Sequence, residues 1–456
     1  MTRYKTLIPF AVSAALAAVS GGAQASGFAL IEQSASGLGN AYAGAAAAAD
    51  DASTIYFNPA GMTRLQGRQV VVAGHLIVPS AEFNNAGTRP AVSTILGAGP
   101  YALNGNGGDA GDLAFVPNLY LSWQLNPKLY LGVGVNAPFG LKTDYDATWM
   151  GRFHALKSEV KAININPSFA VKFNDQISLG FGVNYQTFEG ELTKAVNYSF
   201  LASAGGIPGV PNNTEGSNKI SADDGAWGYN AGIMIKPGPD TDLGIAYRSA
   251  MHFKLSGDVT YQGRPAAVNA LLGLAPVFNQ AGDGPVTANV KMPATLSFAL
   301  KHRVNNQWDV LADATWTGWS GLKTLDIIRS NGATLESTPF YWSDTWRVGI
   351  GANYRLSPPW TVRFGIAYDQ TPTQDTYRTP RIPDQDRTWL AIGAQYKVSQ
   401  AGTLDFGYAH LFVKDPLINM VGQPALSPAL VAGRGALIGN FDSKVDILSI
   451  QYRHTF

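Results

Sequence analysis

The 456-residue sequence carries 33 Lys+Arg against 32 Asp+Glu, a net charge of +1, so there is no electrostatic case for a nucleic-acid partner. It has no cysteine, which excludes disulfide staples and Cys-based metal or redox chemistry. The hydrophobic fraction is 46% and the mean hydropathy −0.02; a soluble protein shares these values with a transmembrane β-barrel, whose lipid-facing and lumen-facing residues alternate and cancel.

Arg3 and Lys5 precede an apolar stretch from Leu7 to Val19, and Ala23-Gln24-Ala25 has the small-x-small form of a cleavage site. This is the pattern of a signal peptide over residues 1–25, too short to serve as a membrane span. No later stretch is long and apolar enough for a spanning helix; Ala41 to Ala49 is short and followed by Asp50 and Asp51. Residues 26–66 are small and polar, with an Ala-rich, helix-like patch. They hold too little apolar surface for a stand-alone domain. They are expected to plug the barrel that follows, a loose periplasmic tail being the alternative.

From residue 67 on, alternation takes over. Strands are expected near 67–79, 113–125, 128–138, 158–173, 176–194, 222–236, 240–256, 286–303, 306–320, 342–356, 359–369, 386–398, 401–413 and 443–456. That makes about fourteen, an even number, as bacterial barrels require. Tight-turn chemistry falls at Asn126-Pro127, Asn174-Asp175, Pro237-Gly238-Pro239, Asn305-Asn306, Pro358-Pro359 and Gln400-Ala401-Gly402. Long segments near 80–112, 139–157, 195–221, 257–285, 321–341, 370–385 and 414–442 alternate with these turns. Short periplasmic turns and long outer loops are the asymmetry of an outer-membrane barrel. The strands agree: Leu404, Phe406, Tyr408, His410 and Phe412 oppose Thr403, Asp405, Gly407 and Ala409, and Arg363 and Asp369 belong on a lumen face. The last strand alternates through Leu448, Ile450, Tyr452, His454 and Phe456. The fold class expected is a transmembrane, 14-stranded antiparallel barrel over 67–456, with residues 26–66 inside it.

Several motifs are more specific. Ser26-Gly27-Phe28, Ser36-Gly37-Leu38-Gly39-Asn40-Ala41-Tyr42-Ala43-Gly44, Asp50-Asp51-Ala52 and Asn58-Pro59-Ala60 follow in that order. Gly140-Leu141-Lys142-Thr143 comes after the third strand, and Ile382-Pro383-Asp384-Gln385-Asp386-Arg387 leads into Trp389. Together they resemble the FadL-type outer-membrane long-chain fatty-acid transporters, a family that includes aromatic-hydrocarbon transporters. The resemblance runs over the whole mature chain. It implies a monomeric fourteen-stranded barrel with an N-terminal hatch. It also implies a ligand path from outer loops to an inner pocket, then sideways through a gap at a kinked third strand.

Read against that family, Asn58, Pro59 and Ala60 match a hatch motif; turn chemistry alone also accounts for them. Pro138 and Gly140 predict a break in the third strand, since Pro cannot donate to a ladder. The resemblance makes Asn136, Pro138, Phe139 and Gly140 a lateral gate. The loop after strand seven is apolar over Leu271, Leu272 and Phe278, and the loop after strand five adds Phe200. Such patches mark binding sites when exposed, although loops that pack on each other give the same composition. By resemblance they form a capture groove, Phe28 contacts ligand, and Lys194 stands where the family has an Arg that binds the head group. A second basic position aligns close to Asp326, with Lys323 a few residues earlier, which leaves room for a neutral ligand.

The six His residues are scattered, and no His-Glu-x-x-His or Gly-x-Ser-x-Gly motif occurs. The resulting expectation is a passive, cofactor-free outer-membrane channel for hydrophobic compounds, foremost long-chain fatty acids. Partners would be the ligand, outer-membrane lipid and lipopolysaccharide. The alternatives are an aromatic-hydrocarbon transporter of the same fold and an outer-membrane lipid hydrolase. A water-filled porin fits poorly with a plugged lumen.

Overall fold

The computed structural model describes residues 26–270, 272, 281–421, 423 and 427–456; the signal-peptide reading of 1–25 lies outside them. Fourteen strands form the wall. They are β1 (Arg68–Asn85), β2 (Ala114–Gln124), β3 (Leu129–Asn136 and Gly140–Asp144), β4 (Lys157–Lys172), β5 (Ile177–Asn197), β6 (Glu215–Gly238), β7 (Thr241–Arg248 and Met251–Gln262), β8 (Gly284–Met292 and Thr295–Arg303), β9 (Trp308–Thr317 and Thr324–Arg329), β10 (Thr334–Pro339 and Thr345–Ser357), β11 (Trp360–Asp369), β12 (Arg387–Lys397), β13 (Gly402–Val413) and β14 (Ile438–Thr455). Each pairs antiparallel with its neighbours, and β1 closes on β14 from Gln69↔Thr455 to Asn85↔Gly439. Closure removes sheet edges, the condition for a sheet to cross lipid.

The alternation in the sequence becomes two faces. Phe406, Tyr408 and Phe412 are exposed, while Thr403, Asp405, Gly407 and Ala409 are buried. Arg363 and Asp369 also face inward. Aromatic residues mark the outer rim of the lipid band at Tyr185, Trp227, Trp346 and Tyr408, and the inner rim at Trp123, Trp308 and Trp360.

Three of the periplasmic turns follow from single Asn side chains. The Oδ1 of Asn126 accepts from Lys128 and Leu129 N–H (both 2.9 Å). Asn174 accepts from Gln176 (2.8 Å) and Ile177 (2.7 Å), and Asn305 from Gln307 (2.8 Å) and Trp308 (2.9 Å). Each Asn mimics a backbone turn and sets the hairpin.

Strands extend into two of the expected outer loops and make up most of a third. β5 runs to Asn197 and β6 starts at Glu215; β7 reaches Gln262; β9 and β10 fill most of 321–341. The ladder continues above the lipid band, where outward positions such as Lys219, Asp223, Lys254 and Asp258 are polar. The apolar alternation that signals a strand in lipid stops there, although the hydrogen bonding does not.

Residues 26–66 touch strands around the ring, from β3 to β14, and so occupy the lumen. They form three one-turn helices, α1 (Ala35–Leu38), α2 (Ala45–Ala48) and α3 (Thr54–Phe57), then a 3₁₀ turn Pro59–Arg64. Asn58 is fully buried and ties the segment together. Its Nδ2 donates to Ala46 O (2.7 Å) and Ile233 O (3.1 Å), and its Oδ1 accepts from Ala60 N–H (3.1 Å). Lumen-facing glycines allow this close approach: a Cβ at Gly180 would strike the backbone of Pro59 and Ala60, and one at Gly232 would strike Asn58 Oδ1. Gly232→Ala should therefore displace Asn58 at about 1–3 kcal/mol. The expected result is a lower melting temperature and a larger ion leak in planar bilayers. Wild-type values for both would refute this account of the contact.

Candidate functional site

A cavity of about 960 Å³ lies in the upper lumen. Its wall is almost wholly apolar, with Leu141, Phe188, Leu255, Val290 and Leu322 around it and Phe28 at its floor. A cavity of about 1000 Å³ lower in the lumen is lined by Arg248, Asp313, Arg347 and Asp369 among others. An acyl chain there would desolvate charged groups, so the upper cavity is the candidate site.

Its upper end is charged. Lys194, above the outer aromatic rim on β5, donates from Nζ to Glu336 Oε2 on β10 (2.6 Å), with side-chain exposures of 9% and 11%. Arg434 Nη1 lies 3.6 Å from the other Glu336 oxygen. Arg381, buried, lines the cavity and is held by Ser158 Oγ (3.0 Å) and Lys157 O (3.1 Å). Burial opposes ionisation of Glu336, but Lys194, Arg434 and Arg381 outweigh it and hold this carboxyl well below its ordinary range. Burial, then repulsion from Arg434, pushes the Lys194 amine down to about 7 against the pull of Glu336. The two shifts fit together because one carboxylate serves three cations, and Lys194 alone of the three can readily lose its proton.

Glu336 also lines an outer vestibule of about 730 Å³, together with Lys194, Phe200, Leu201, Leu335 and Arg434. The charged cluster thus stands between the vestibule and the apolar cavity.

At the cavity floor Phe28 packs against Trp319 (5.1 Å between ring centroids), Trp342 (5.6 Å) and Phe139 (5.9 Å). Phe139 belongs to the break in β3. Pairing of β2 with β3 ends at Leu119↔Val135, whereas pairing with β4 runs on both sides of the break, over Leu129–Asn136 and Gly140–Asp144. Pro138 lacks an N–H, and the N-terminal segment fills the position from inside: Leu30 N–H donates to Pro138 O (2.8 Å) and Gly140 N–H to Phe28 O (3.0 Å). Asp384 anchors that segment by accepting from Gly27 N–H (2.8 Å) and Thr371 Oγ1 (2.6 Å).

The fold therefore brings Phe28, Lys194 and Phe200 to the vestibule and cavity, and Asn136, Pro138, Phe139 and Gly140 to the wall break beside them. Asn58, Pro59 and Ala60 lie deeper, against β5 and β6. Lys323 is exposed and lines neither cavity; its carbonyl accepts from Phe340 (2.8 Å) and Tyr341 (2.9 Å) N–H. Leu271 and Phe278 lie outside the described residues. Leu272 packs with Val196, Tyr198, Ala202 and Val268, so these loops bury one another's apolar side chains. Glu336, Arg381 and Arg434 were not foreseen at the site. Arg381 directly precedes the Ile382–Arg387 motif. Its neighbours do pair locally, Asp384 with Arg387 and Asp386 with Tyr368 (2.9 Å), but Arg381 turns into the lumen.

A plugged, closed barrel with an apolar internal cavity and a breached wall is the architecture of an outer-membrane transporter of hydrophobic compounds. The chain matches the family model described as outer membrane protein transport protein (OMPP1/FadL/TodX) over residues 16–456, and it belongs to that family. It is 32% identical to outer membrane protein P1 of Haemophilus influenzae over 420 residues, covering 88% of this chain and 89% of that one. It is 28% identical to the long-chain fatty acid transport protein of Escherichia coli K12 over 427 residues, covering 90% and 93%. The crystal structure of a Pseudomonas aeruginosa FadL homologue superposes with a TM-score of 0.84 at 28% identity, covering 94% of this chain and 100% of that one. The Ralstonia pickettii toluene transporter TbuX shares the fold, with a TM-score of 0.61 at 20% identity over 89% of this chain and 94% of that one. The protein is an outer-membrane transporter of hydrophobic compounds.

Proposed function

We propose that the transported compounds are long-chain fatty acids. The observation that carries this reading is the cationic cluster of Lys194, Arg434 and Arg381 around one carboxylate, at the mouth of an otherwise apolar cavity. A monoaromatic ring needs no buried cations, whereas a carboxylate gains a charge-assisted hydrogen bond from them. The acyl tail gains about 0.8 kcal/mol per buried CH₂ in the cavity below.

In this reading the acid enters the vestibule at Phe200 and Leu201 and exchanges with Glu336 for Lys194 and Arg434. Its tail fills the cavity down to Phe28. The residues from Ser26 to about Leu30 then leave the β3 break, with the Asn58-Pro59-Ala60 turn as the fixed base of the hatch. The ligand exits sideways into the membrane at Asn136–Gly140. Transport is passive, driven by consumption further in.

The test is competition on purified protein between oleate and a neutral compound of matched length, oleyl alcohol. Oleate is expected to bind more tightly by about tenfold, the worth of one hydrogen bond to a charged group. Equal affinities, with toluene also competing, would transfer the assignment to neutral hydrocarbons, for which the existing Lys194–Glu336 neutralisation is the favourable observation.

A further inference from the structure

The wall has a second interruption, between β8 and β9. Val286–Ala288 pair with Ile327–Arg329, and Thr295–Arg303 pair with Asp309–Thr317. Between them residues 289–294 face 318–326 without ladder pairs; Gly318 N–H to Ala294 O (2.9 Å) marks the lower edge. Here β9 leaves the wall. A 3₁₀ turn, Trp319–Gly321, carries Trp319 and Leu322 into the lumen, where both are buried. β10 breaks alongside, at 340–344, and β7 at 249–250.

The level of the break is informative. Outward residues below it are lipid-facing, such as Ile245, Phe298 and Trp346; those beside and above it are polar, His252, Lys254 and Asn289. Unpaired backbone is excluded from the hydrocarbon but tolerated where head groups and water reach. Behind the break lies the apolar cavity, lined by Val286, Ala288 and Val290 of β8, Leu322 after the 3₁₀ turn, and Leu325 and Ile327 of β9. Across its face lies Lys291: a Cβ on Gly321 would sit 3.0, 3.1 and 3.2 Å from its Cδ, Cε and Nζ. Lys323 is exposed on the same stretch of β9.

We propose that this break is a lateral port from the outer leaflet into the cavity, for an anionic amphiphile with a single acyl chain. Lys291 and Lys323 attract the head group, Lys291 swings aside, and the tail passes from lipid into the cavity without exposing its methylenes to water. The port rests on the reading that the cavity holds an acyl chain, and adds a route that bypasses the vestibule. It differs from the β3 break, which the N-terminal segment fills from inside.

The chain has no cysteine, so Lys291→Cys with Gly321→Cys creates a unique thiol pair across the port. Gly321 is not in the left-handed region and accepts a side chain once Lys291 is shortened. Cells lacking their own fatty-acid transporter and expressing this protein would receive labelled oleate either preloaded into the outer leaflet or delivered from albumin. Oxidation of the pair should lower uptake of preloaded oleate by about fivefold or more, with recovery on reduction and little change for albumin-delivered oleate. Unchanged uptake after confirmed disulfide formation, or an equal fall for both deliveries, would overturn the port. Lys291→Glu provides a second readout without a cross-link: preloaded oleate uptake should fall while preloaded hexadecane uptake holds, and an unchanged ratio would count against the port. If wild type takes up oleate by neither delivery, the fatty-acid reading fails and the port for an anionic amphiphile falls with it; a cross-link that then lowers uptake of preloaded hexadecane would leave the break as an opening for neutral chains.

Discussion

Replacing Lys194 with Ala is expected to weaken oleate binding by about 10–100-fold while changing the binding of oleyl alcohol by less than about twofold, since a hydrogen bond to a charged group is worth roughly 1.5–3 kcal/mol. The barrel should tolerate the change, because Glu336 keeps Arg434 at 3.6 Å and is not left as an unpaired buried charge. Glu336→Gln should act in the opposite direction. It leaves Arg434 and Arg381 without their carboxylate, so oleate should bind more tightly, by about tenfold, at some cost in stability of the empty protein. If both variants bind oleate like wild type, the cluster is structural and the head group is read elsewhere.

The same cluster sets a pH dependence. Lys194 is charged below about 7 and neutral above it, so oleate affinity should fall as pH rises through that value. Lys194→Arg should abolish the slope, because a guanidinium stays charged across the range. For stability the sign is the reverse. The unfolded chain holds the Lys194 proton up to about 10.5 and the folded chain only to about 7, so this group makes stability rise with pH between those values. Titration of oleate binding from pH 6 to 9 in wild type and Lys194→Arg separates the two effects; parallel curves would contradict the assignment.

Gly140→Arg is expected to abolish oleate uptake by cells while leaving oleate binding by purified protein near the wild-type value. Gly140 is buried at the β3 break, and its N–H is bonded to Phe28 O at 3.0 Å, so a long side chain there has to displace what packs at the break. A guanidinium on an apolar exit path adds about 2 kcal/mol to passage, which slows it more than tenfold. Binding should survive because the head-group cluster and most of the cavity wall are on other strands. Gly140→Leu separates bulk from charge. Normal uptake by a well-expressed Gly140→Arg variant would remove this break as the exit and leave the β8–β9 break as the remaining gap in the wall.

Most of the barrel was legible in the sequence. Alternation is a local property: each strand in lipid shows its two faces in its own residues, as Phe406 and Tyr408 do against Asp405 and Gly407. Turns such as Asn126 and Asn174 act within three residues of themselves, so their chemistry is also local. The upper wall was harder to read because outside the lipid an outward face need not be apolar, and β9 and β10 lost their signature while keeping their hydrogen bonds. The site was only half visible. Phe28, Lys194 and Gly140 stood out through resemblance, but Glu336 and Arg434 carry no pattern in their own segments. What makes them a site is closure of the ring, which brings β5, β10, the loop after β11 and the segment before β14 around one cavity. The interruption at Lys291 and Gly321 is likewise a relation between two strands. Sequence by itself determined which residues face lipid and where the chain turns, because those are set by neighbours along the chain; only the tertiary structure decided which charges meet and where the wall opens, because those are set by neighbours across the barrel.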